Sequence, residues 1–405
     1  MKIHRNLALG IVEGLHHILS KKSTLRSELS RLRTQNRKWG SRDRRLLAET
    51  ILDCVRWQRT YAFMGNTKPK EKNYYWNLLG IWIMTKELEL PSWKEFEGLE
   101  KRIDFVPLNP KHIDRKTIQS IPDWLDEKGS EAFGEEVWEN EITALNQTAK
   151  LVLRANTLKT SATSLQLQLK KEFKIESSLS KENPEALVLD NHQKLEQTKP
   201  FQKGRFEIQD GNSQKVAHWV GPEKGMLIID ACAGSGGKSI HLGALMENKG
   251  RIIALDNRPE KLKILKERAK RNSVTIIETE SAEDSVFFEK HLKKADTVLI
   301  DAPCSGLGVL KRNPAAKWHM TPKRIVALEK TQQEIIQKNA LLVKPGGILV
   351  YSTCSIFPSE NENQIQFFLE SEEGKRFRLE KQETFFAHQT GFDGFFIAKM
   401  NAEKL

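Results

Sequence analysis

Two cysteines stand directly after apolar segments whose spacing could bring them together. Cys304 follows the apolar run Thr297–Ile300, and Cys354 follows the apolar run Gly347–Tyr351. Asp301 begins the first of these two loops. Parallel strands bring their carboxyl ends to one edge of a sheet, so we expect the two thiols and the carboxylate to converge there. A thiolate in such a place can add to an electron-poor carbon and form a covalent intermediate.

A glycine-rich turn follows an earlier apolar run, Met226–Ile229, and leads into a helical pattern. Glycines let the backbone approach a ligand closely, and a helix amino terminus offers unpaired N–H groups. Asp256, which ends the run Arg251–Leu255, could accept hydrogen bonds from two ribose hydroxyls. The turn matches neither a dinucleotide fingerprint nor a P-loop, so S-adenosyl-L-methionine is the best-fitting ligand. The turn residues are Cys232, Ala233, Gly234, Ser235, Gly236, Gly237 and Lys238.

Two thiols beside a methyl-donor site suit one reaction in particular. Carbon 5 of cytosine is too weak a nucleophile to take a methyl group directly. A thiolate that adds to carbon 6 creates an enamine-like carbon 5, and an acid near N3 assists the addition. After transfer, a base removes the carbon 5 proton and the thiolate leaves. The pattern therefore predicts a cytosine-C5 methyltransferase.

The composition is that of a globular chain with more than one core. A chain of 405 residues exceeds what one core usually fills, so two or three domains are expected. The sequence has no run of eighteen apolar residues and no secretory h-region, and we expect a cytoplasmic protein without membrane contact. The four cysteines show no paired C-x-x-C spacing, and no metal site is expected.

Positive charge is concentrated at the amino terminus. The net charge is +12, and most of it lies in the first sixty residues, where Arg42, Arg44 and Arg45 form a cluster. Lysine and arginine at such density suit a phosphate backbone, because each neutralised phosphate releases counterions. A solvated helix face is an equally good interpretation of the charge alone.

Hydrophobic periodicity divides the chain into three regions. Residues 1–140 show helical spacing, including segments at Trp76–Leu88 and Trp93–Leu99. Residues 145–215 combine strand-like and helical segments and predict a small α+β module. Residues 216–405 alternate apolar strands with helices, which predicts a parallel, doubly wound α/β sheet. The approach to the second region is punctuated by Pro107, Pro110 and Pro122.

Several motifs in combination resemble the Fmu/Sun/Nop family of RNA cytosine-C5 methyltransferases. The resemblance implies a Rossmann-like class I methyltransferase sheet, preceded by a ferredoxin-like module and an all-α NusB-like domain. It also implies an RNA substrate, with small-subunit ribosomal RNA as the first choice, and we expect a monomer. The matching stretches are Leu153-Arg-Ala-Asn156, Phe206-Glu-Ile-Gln-Asp210, Ser213-Gln214, Cys232 to Lys238, Asp301 to Gly308, Arg312-Asn-Pro314, Ser352-Thr-Cys-Ser355, Glu360-Asn-Glu-Asn363 and Asp393-Gly-Phe-Phe396.

The resemblance also assigns roles to single residues. It makes Cys354 the nucleophile, Cys304 the residue that assists product release, and Asp301 a contact of both cytosine and cofactor. Residues Cys232 to Lys238 would hold the methionine part of the cofactor, and Asp256 would hold its ribose.

Four positions depart from the family pattern. Gly234 and Ser235 replace an alanine and a proline in the turn, and Ser281 stands where an aspartate is common. Ala315 stands where the family often has an aspartate after Asn-Pro. Asp284 is the expected substitute for the missing acid at Ser281.

Two other classes of protein remain open at this point. The first is a non-catalytic RNA-binding ribosome-assembly factor that kept the fold, which the altered turn would allow. The second is a methyltransferase acting on DNA or protein. In DNA enzymes the thiol of the Pro-Cys pair is the nucleophile, whereas here a second thiol follows in Ser352-Thr-Cys-Ser355.

Overall fold

A computed structural model describes residues 3–101, 113–189, 193 and 195–404 of the chain. Pro107 and Pro110, which the sequence marks as punctuation, lie outside these residues. The chain divides into two compact units. The first comprises Met1–Gln147 with Leu310–Pro322, and the second comprises Thr148–Val309 with Lys323–Leu405.

The described part of the first unit is mainly helical, as the sequence predicts. Its first helix buries one apolar stripe, and Leu7, Ile11, Leu15 and Ile18 are at most 3% exposed. That stripe has the spacing that identified the helix from the sequence. The helices up to residue 147 are α1 (Arg5–Lys21), α2 (Leu25–Gln35), α3 (Ser41–Arg56), α4 (Gln58–Met64), α5 (Tyr74–Thr85), α6 (Arg115–Ile118), α7 (Asp123–Phe133) and α8 (Glu135–Leu145).

The helix expected at Trp93–Leu99 is wrong. Only a single 3-10 turn, Lys94–Phe96, forms there. Gly98 has a φ of +72°, a left-handed conformation that a continuing helix does not allow. The apolar side chains that suggested a helix, such as Phe96 and Leu99, are buried in the core of the first unit all the same.

The segment Leu310–Pro322 falls along the chain within the region 216–405 that the sequence predicts to be catalytic. In the structure it belongs to the first unit. Lys317 is fully buried and donates to Asn146 Oδ1 at 2.9 Å, and Trp318 Nε1 donates to the carbonyl of Val55 at 2.7 Å. Buried polar groups need partners, and these two find theirs among the helices of the first unit.

The second unit begins with a small antiparallel sheet. Its four strands lie in the order β2-β3-β1-β4, and every neighbouring pair is antiparallel. This order, with one helix after β1 and another before β4, is that of a ferredoxin-like βαββαβ module. The elements are β1 (Leu151–Ala155), α9 (Ala162–Phe173), β2 (Ser177–Leu179), β3 (Ala186–Leu189), α10 (Lys199–Gln202) and β4 (Phe206–Ile208).

A seven-stranded sheet forms the rest of the second unit, in the order β10-β11-β9-β8-β5-β6-β7. The five strands from β9 to β7 are parallel, and β11 runs antiparallel to both of its neighbours. The predicted Rossmann-like sheet is therefore confirmed. From residue 211 onward the elements are α11 (Gly211–Val220), β5 (Leu227–Asp230), α12 (Gly237–Leu245), β6 (Arg251–Asp256), α13 (Pro259–Asn272), β7 (Ile277–Ser281), α14 (Ser285–His291), β8 (Ala295–Asp301), α15 (Ala316–His319, within the first unit), α16 (Pro322–Ala340), β9 (Val343–Thr353), α17 (Glu362–Glu370), β10 (Phe377–Phe385), α18 (Ala387–Thr390) and β11 (Phe395–Ala402).

The strand order reverses at the middle of this sheet. From β5 the chain proceeds to β6 and β7 on one side, and then returns to β8 and β9 on the other. Ligands of open α/β sheets bind outside the carboxyl ends of the strands at such a switch point. The cofactor turn, Asp256 and the two cysteine loops begin at the carboxyl ends of β5, β6, β8 and β9, whereas Asp284 follows β7.

Candidate active site

A cavity of about 1080 Å³ opens at this edge of the sheet. The strand β5 contributes Asp230 and the turn that follows it, β6 contributes Asp256, and β8 contributes Asp301. Apart from the buried Gly236, every residue of the predicted cofactor turn lines the cavity. The structure thus brings the predicted cofactor residues from three strands to one place.

The turn itself is held by arginines that bond to its carbonyl oxygens. Arg154 Nη1 donates to Gly237 O at 2.8 Å, and Arg268 Nη1 donates to Ser235 O at 2.7 Å. Gly234 has a φ of +54°, a conformation that glycine adopts without steric cost. An added Cβ at Gly236 would lie 2.5 Å from a side-chain atom of Leu265, which explains the need for glycine there.

Asp256 joins the end of β6 to the turn. Its carboxylate accepts from the N–H of Gly234 at 3.0 Å and from the N–H of Arg258 at 2.9 Å. The residue is 8% exposed and lines the cavity. One side chain therefore both fixes the turn and presents a charged acceptor to a ligand.

Asp230 offers a test of whether the cavity fits the expected cofactor. Ser239 Oγ donates to Asp230 Oδ2 at 2.6 Å, but the buried Oδ1 has no hydrogen-bond partner in the described part of the chain. Burial raises the pKa of this carboxyl group to about 6. An unpaired buried acceptor at a cavity wall suits the ammonium group of an amino-acid ligand. A Cβ built on Gly237 would meet no atom within 4 Å, so the backbone leaves open space beside it.

The two thiols lie together at the ends of β8 and β9. Cys304 Sγ and Cys354 Sγ are 3.3 Å apart, and both residues are partly accessible. The hydrogen bond to Cys354 and burial raise the pKa of the Cys304 thiol well above its usual value. Two thiolates cannot share this space, so at least one of the two thiols keeps its proton.

Asp301, unlike either of these two cysteines, lines the cavity. Its carboxylate accepts from Lys238 Nζ at 2.6 Å and from Ser352 Oγ at 3.1 Å. It therefore connects the cofactor turn, through Lys238, to the loop that carries Cys354.

Glu360 holds the two cysteine loops together, a role the sequence reasoning missed. This fully buried carboxylate accepts from the N–H and Oγ of Ser305 at 2.7 and 2.6 Å, and from Ser355 Oγ at 2.6 Å. Gln332 Nε2 adds a fourth hydrogen bond at 3.2 Å. Ser305 and Ser355 each follow one of the cysteines. The signal was present as Glu360-Asn-Glu-Asn363, but only the fold shows what it contacts.

A close approach of backbones completes the arrangement. The N–H of Gly308 donates to Cys354 O at 3.0 Å, and the N–H of Gly394 donates to Gly308 O at 2.7 Å. A Cβ at Gly308 would lie 2.2 Å from the carbonyl oxygen of Gly394. Only glycine allows the three loops to meet at this distance.

Asp284 does not line the cavity. Its carboxylate caps helix α14 by accepting from the N–H groups of Val286 and Phe287 at 3.0 and 3.2 Å. Ala282 and Glu283 line the cavity instead. The contact between Asp284 and the cofactor stays a prediction. The hydrogen bonds that Asp284 makes to α14 do not favour it.

A second cavity, of about 450 Å³, lies in the first unit. It is lined by Arg26, Arg33, Arg37 and Arg44, together with Ser30 and Thr34. The Nε of Arg44 is buried without a hydrogen-bond partner among the described residues. Of the three arginines that the sequence grouped, Arg42 and Arg45 are exposed on α3 and do not line it.

In the described residues, no helix is both long and apolar enough to cross a membrane.

Comparison with known proteins identifies relatives of both parts of the second unit. A family model for 16S rRNA methyltransferase RsmB/F matches residues 217–401, and one for the RsmF/B-like ferredoxin-like domain matches residues 121–196. The chain is 35% identical to the probable ribosomal RNA small subunit methyltransferase B of Synechocystis sp. over 69% of its length and 66% of that relative. It is 34% identical to the protein of the same name from Bacillus subtilis, over 70% of its length and 67% of that relative. The chain thus spans about two thirds of these relatives.

Solved structures of other proteins have a similar fold. NSun6 from Pyrococcus horikoshii with SFG aligns with a TM-score of 0.65 at 26% identity, over 71% of this chain and 100% of that one. The crystal structure of PH0851 aligns over 100% of both chains with a TM-score of 0.81, and at 24% identity this likeness shows the fold. The ferredoxin-like module predicted from the sequence is confirmed by its family model. The chain belongs to the RsmB/F family of rRNA methyltransferases.

Proposed function

We propose that the chain methylates carbon 5 of a cytosine in small-subunit ribosomal RNA through a covalent bond between Cys354 and carbon 6. The observation that carries the proposal is the 3.3 Å separation of the two thiols, on loops that follow β8 and β9, together with the hydrogen bond from Ser352, two residues before Cys354, to Asp301 at the cavity wall. Ribosomal RNA methylation is the activity named in the family and its curated relatives.

The chain's residues support each step of this reaction. The family uses S-adenosyl-L-methionine, which supplies an electrophilic methyl group when bound. Asp230, Asp256 and the turn from Cys232 to Lys238 would hold it. Addition of the Cys354 thiolate to carbon 6 breaks the double bond between carbons 5 and 6, and carbon 5 gains the electron density to accept a methyl group.

Asp301 would contact the cytosine during this addition. The carboxylate is oriented by Lys238 and Ser352, which bond to different oxygens. A polar group held in this way stabilises charge that develops on the ring without reorganising.

Cys304 has the properties needed for release. Its thiol pKa is raised first by the hydrogen bond to Cys354. When Cys354 is bonded to carbon 6 it carries no charge, and this cause disappears. Cys304 then becomes easier to deprotonate and can remove the proton from carbon 5, after which the bond between carbon 6 and sulfur breaks.

RNA binding would involve the arginine-lined cavity of the first unit. Four guanidinium groups around one concavity suit phosphate oxygens, which are bound by charge and hydrogen bonds together. A cytosine paired within a helix would have to leave its stack before the thiol could reach carbon 6. The substrate position is therefore single-stranded or opened.

Methylation of unmodified 16S rRNA in vitro tests the proposal. With labelled S-adenosyl-L-methionine we expect one 5-methylcytidine per RNA, found by mass spectrometry of the nucleosides. Methyl transfer to another atom would contradict the carbon 5 chemistry. Absence of both transfer and cofactor binding by calorimetry would instead support a non-catalytic assembly factor.

A further inference from the structure

We propose that Glu185, His218 and His241 form a binding site for a divalent transition-metal ion, for which Zn²⁺ is the natural probe. Each of these residues offers one ligand atom, and the three atoms all lie within 4.8 Å of one another. The set is two imidazoles and one carboxylate, which are ligands of Zn²⁺ and its neighbours in the first transition row. The three residues are far apart in the sequence, and no C-x-x-C or other short metal-ligand spacing connects them.

The two distances from Glu185 to the histidines lie on either side of the distance between two ligand atoms in a metal site. His218 Nε2 lies 2.9 Å from Glu185 Oε2, and His241 Nε2 lies 3.9 Å from the same oxygen. Ligands at about 2.1 Å from a tetrahedral Zn²⁺ are separated by roughly 3.4 Å. Sub-ångström to ångström shifts of side chains would therefore convert the cluster into a coordination site.

His241 is the independent sign that something is missing from the cluster. Its side chain is 2% exposed, and neither ring nitrogen has a hydrogen-bond partner among the residues that the structure describes. An imidazole buried in this way is unfavourable unless a ligand uses one of its nitrogens.

Charge and access fit the same interpretation. Glu185 contributes a carboxylate, whose Oε2 lies 2.9 Å from His218 Nε2. The negative charge of Glu185 offsets the positive charge of Arg154. The guanidinium group of Arg154 bonds to the carbonyl of Gly237 and to Gln209. The His218 side chain is 34% exposed, so solvent reaches one side of the cluster and a water can complete the coordination.

Such an ion would join three segments of the second unit. Glu185 directly precedes β3 of the ferredoxin-like module, whereas His218 lies on α11 and His241 on α12. Helix α12 begins at Gly237, the end of the glycine-rich turn. A bound ion would therefore fix the small module to the helix whose first residues line the cofactor cavity.

Zinc binding by the untagged, full-length protein tests this site. After chelator treatment and dialysis, we expect the wild-type chain to bind one equivalent of Zn²⁺. At 100-fold excess over the dissociation constant, its thermal midpoint should rise by about 5 °C or more. His218→Ala and Glu185→Gln should each weaken binding at least tenfold and lose that rise.

Matched controls separate this cluster from other ligands. His388→Ala and Glu182→Gln remove a histidine and a carboxylate of the second unit that lie outside the cluster, and they should bind as the wild type does. Cys304→Ser with Cys354→Ser removes the thiols and should also keep the equivalent. Equal binding by His218→Ala and the wild type, or loss of binding only in the cysteine variant, would overturn the proposal. These readouts do not depend on methyl transfer.

Discussion

The two sides of the candidate active site are built in different ways. The cofactor side is a single continuous turn, fixed by Asp256 and by arginines that bond to the carbonyls of Ser235 and Gly237. The thiol side joins two loops fifty residues apart, held by one buried carboxylate, Glu360. A contiguous motif therefore forms the turn that would bind a methyl donor, although Arg154 contacts it from 83 residues away, whereas the proposed covalent chemistry needs two separate loops brought together.

The difference predicts that the thiol side is the more sensitive to single changes. Cys354→Ala should abolish methylation and should form no covalent complex with RNA, because carbon 5 gains too little electron density without the Cys354 thiolate at carbon 6. Cofactor affinity should stay near that of the wild type, since the turn is untouched. Calorimetry and a methyl-transfer assay measure both. Residual methylation by this variant would reject Cys354 as the nucleophile.

Glu360→Gln should disturb the arrangement of the two cysteine loops, because Glu360 holds them together. The amide cannot accept all four hydrogen bonds, and we expect a loss of about 2 kcal/mol in the free energy of unfolding. The rate of methyl transfer should fall more than cofactor affinity does. Glu370→Gln, an exposed change on α17, is the matched control and should leave both unchanged. Equal losses of rate and cofactor affinity would mean that Glu360 does not act on the cysteine loops selectively.

Asp256→Ala should have the opposite selectivity. Each lost hydrogen bond to the cofactor ribose should cost about 1.5 to 3 kcal/mol of binding, roughly ten- to a hundredfold in affinity. Asp284→Ala is the sharp comparison, because this residue caps α14. It should lower stability by about 1 kcal/mol and leave cofactor affinity alone. Weaker cofactor binding by Asp284→Ala would restore the contact expected from the sequence.

The smallest effect on function is expected from changes in the arginine-lined cavity of the first unit. Replacing Arg33, Arg37 and Arg44 together by alanine should weaken RNA binding and reduce the slope of log affinity against log salt by about 2 to 3. Arg42→Ala with Arg45→Ala, on the same helix as Arg44 but outside the cavity, should change the slope less. The same slope change in both variants would make the cavity irrelevant to RNA binding.

How much the sequence could predict follows from the range of the interactions. The strands around Asp230, Asp256, Asp301 and Thr353 are short apolar runs with motifs at their ends, and their parallel arrangement follows from alternation with helices. Partners separated by long stretches of chain, such as Glu360 with Ser305, leave no local pattern. The packing of Leu310–Pro322 with the first unit leaves no local pattern for the same reason, since its partners lie more than 150 residues earlier.

The cluster of Glu185, His218 and His241 belongs with these long-range features. Its residues are spread over fifty-seven positions and three elements, and no spacing rule connects them. The glycines of the motifs could be predicted in part. Gly308 could be recognised as part of a motif, but its reason, contact with the carbonyl of Gly394, required the fold.

The most direct test of the central claim uses the Cys304→Ala variant. Attack and methyl transfer should proceed, but slow removal of the carbon 5 proton should leave the protein bonded to its RNA as a denaturation-resistant complex. Protease and nuclease digestion followed by mass spectrometry identifies the bonded residue. The account predicts a peptide containing Cys354 that carries a methylated cytidine nucleotide. A complex formed instead by Cys354→Ala, with the nucleotide on Cys304, would contradict it.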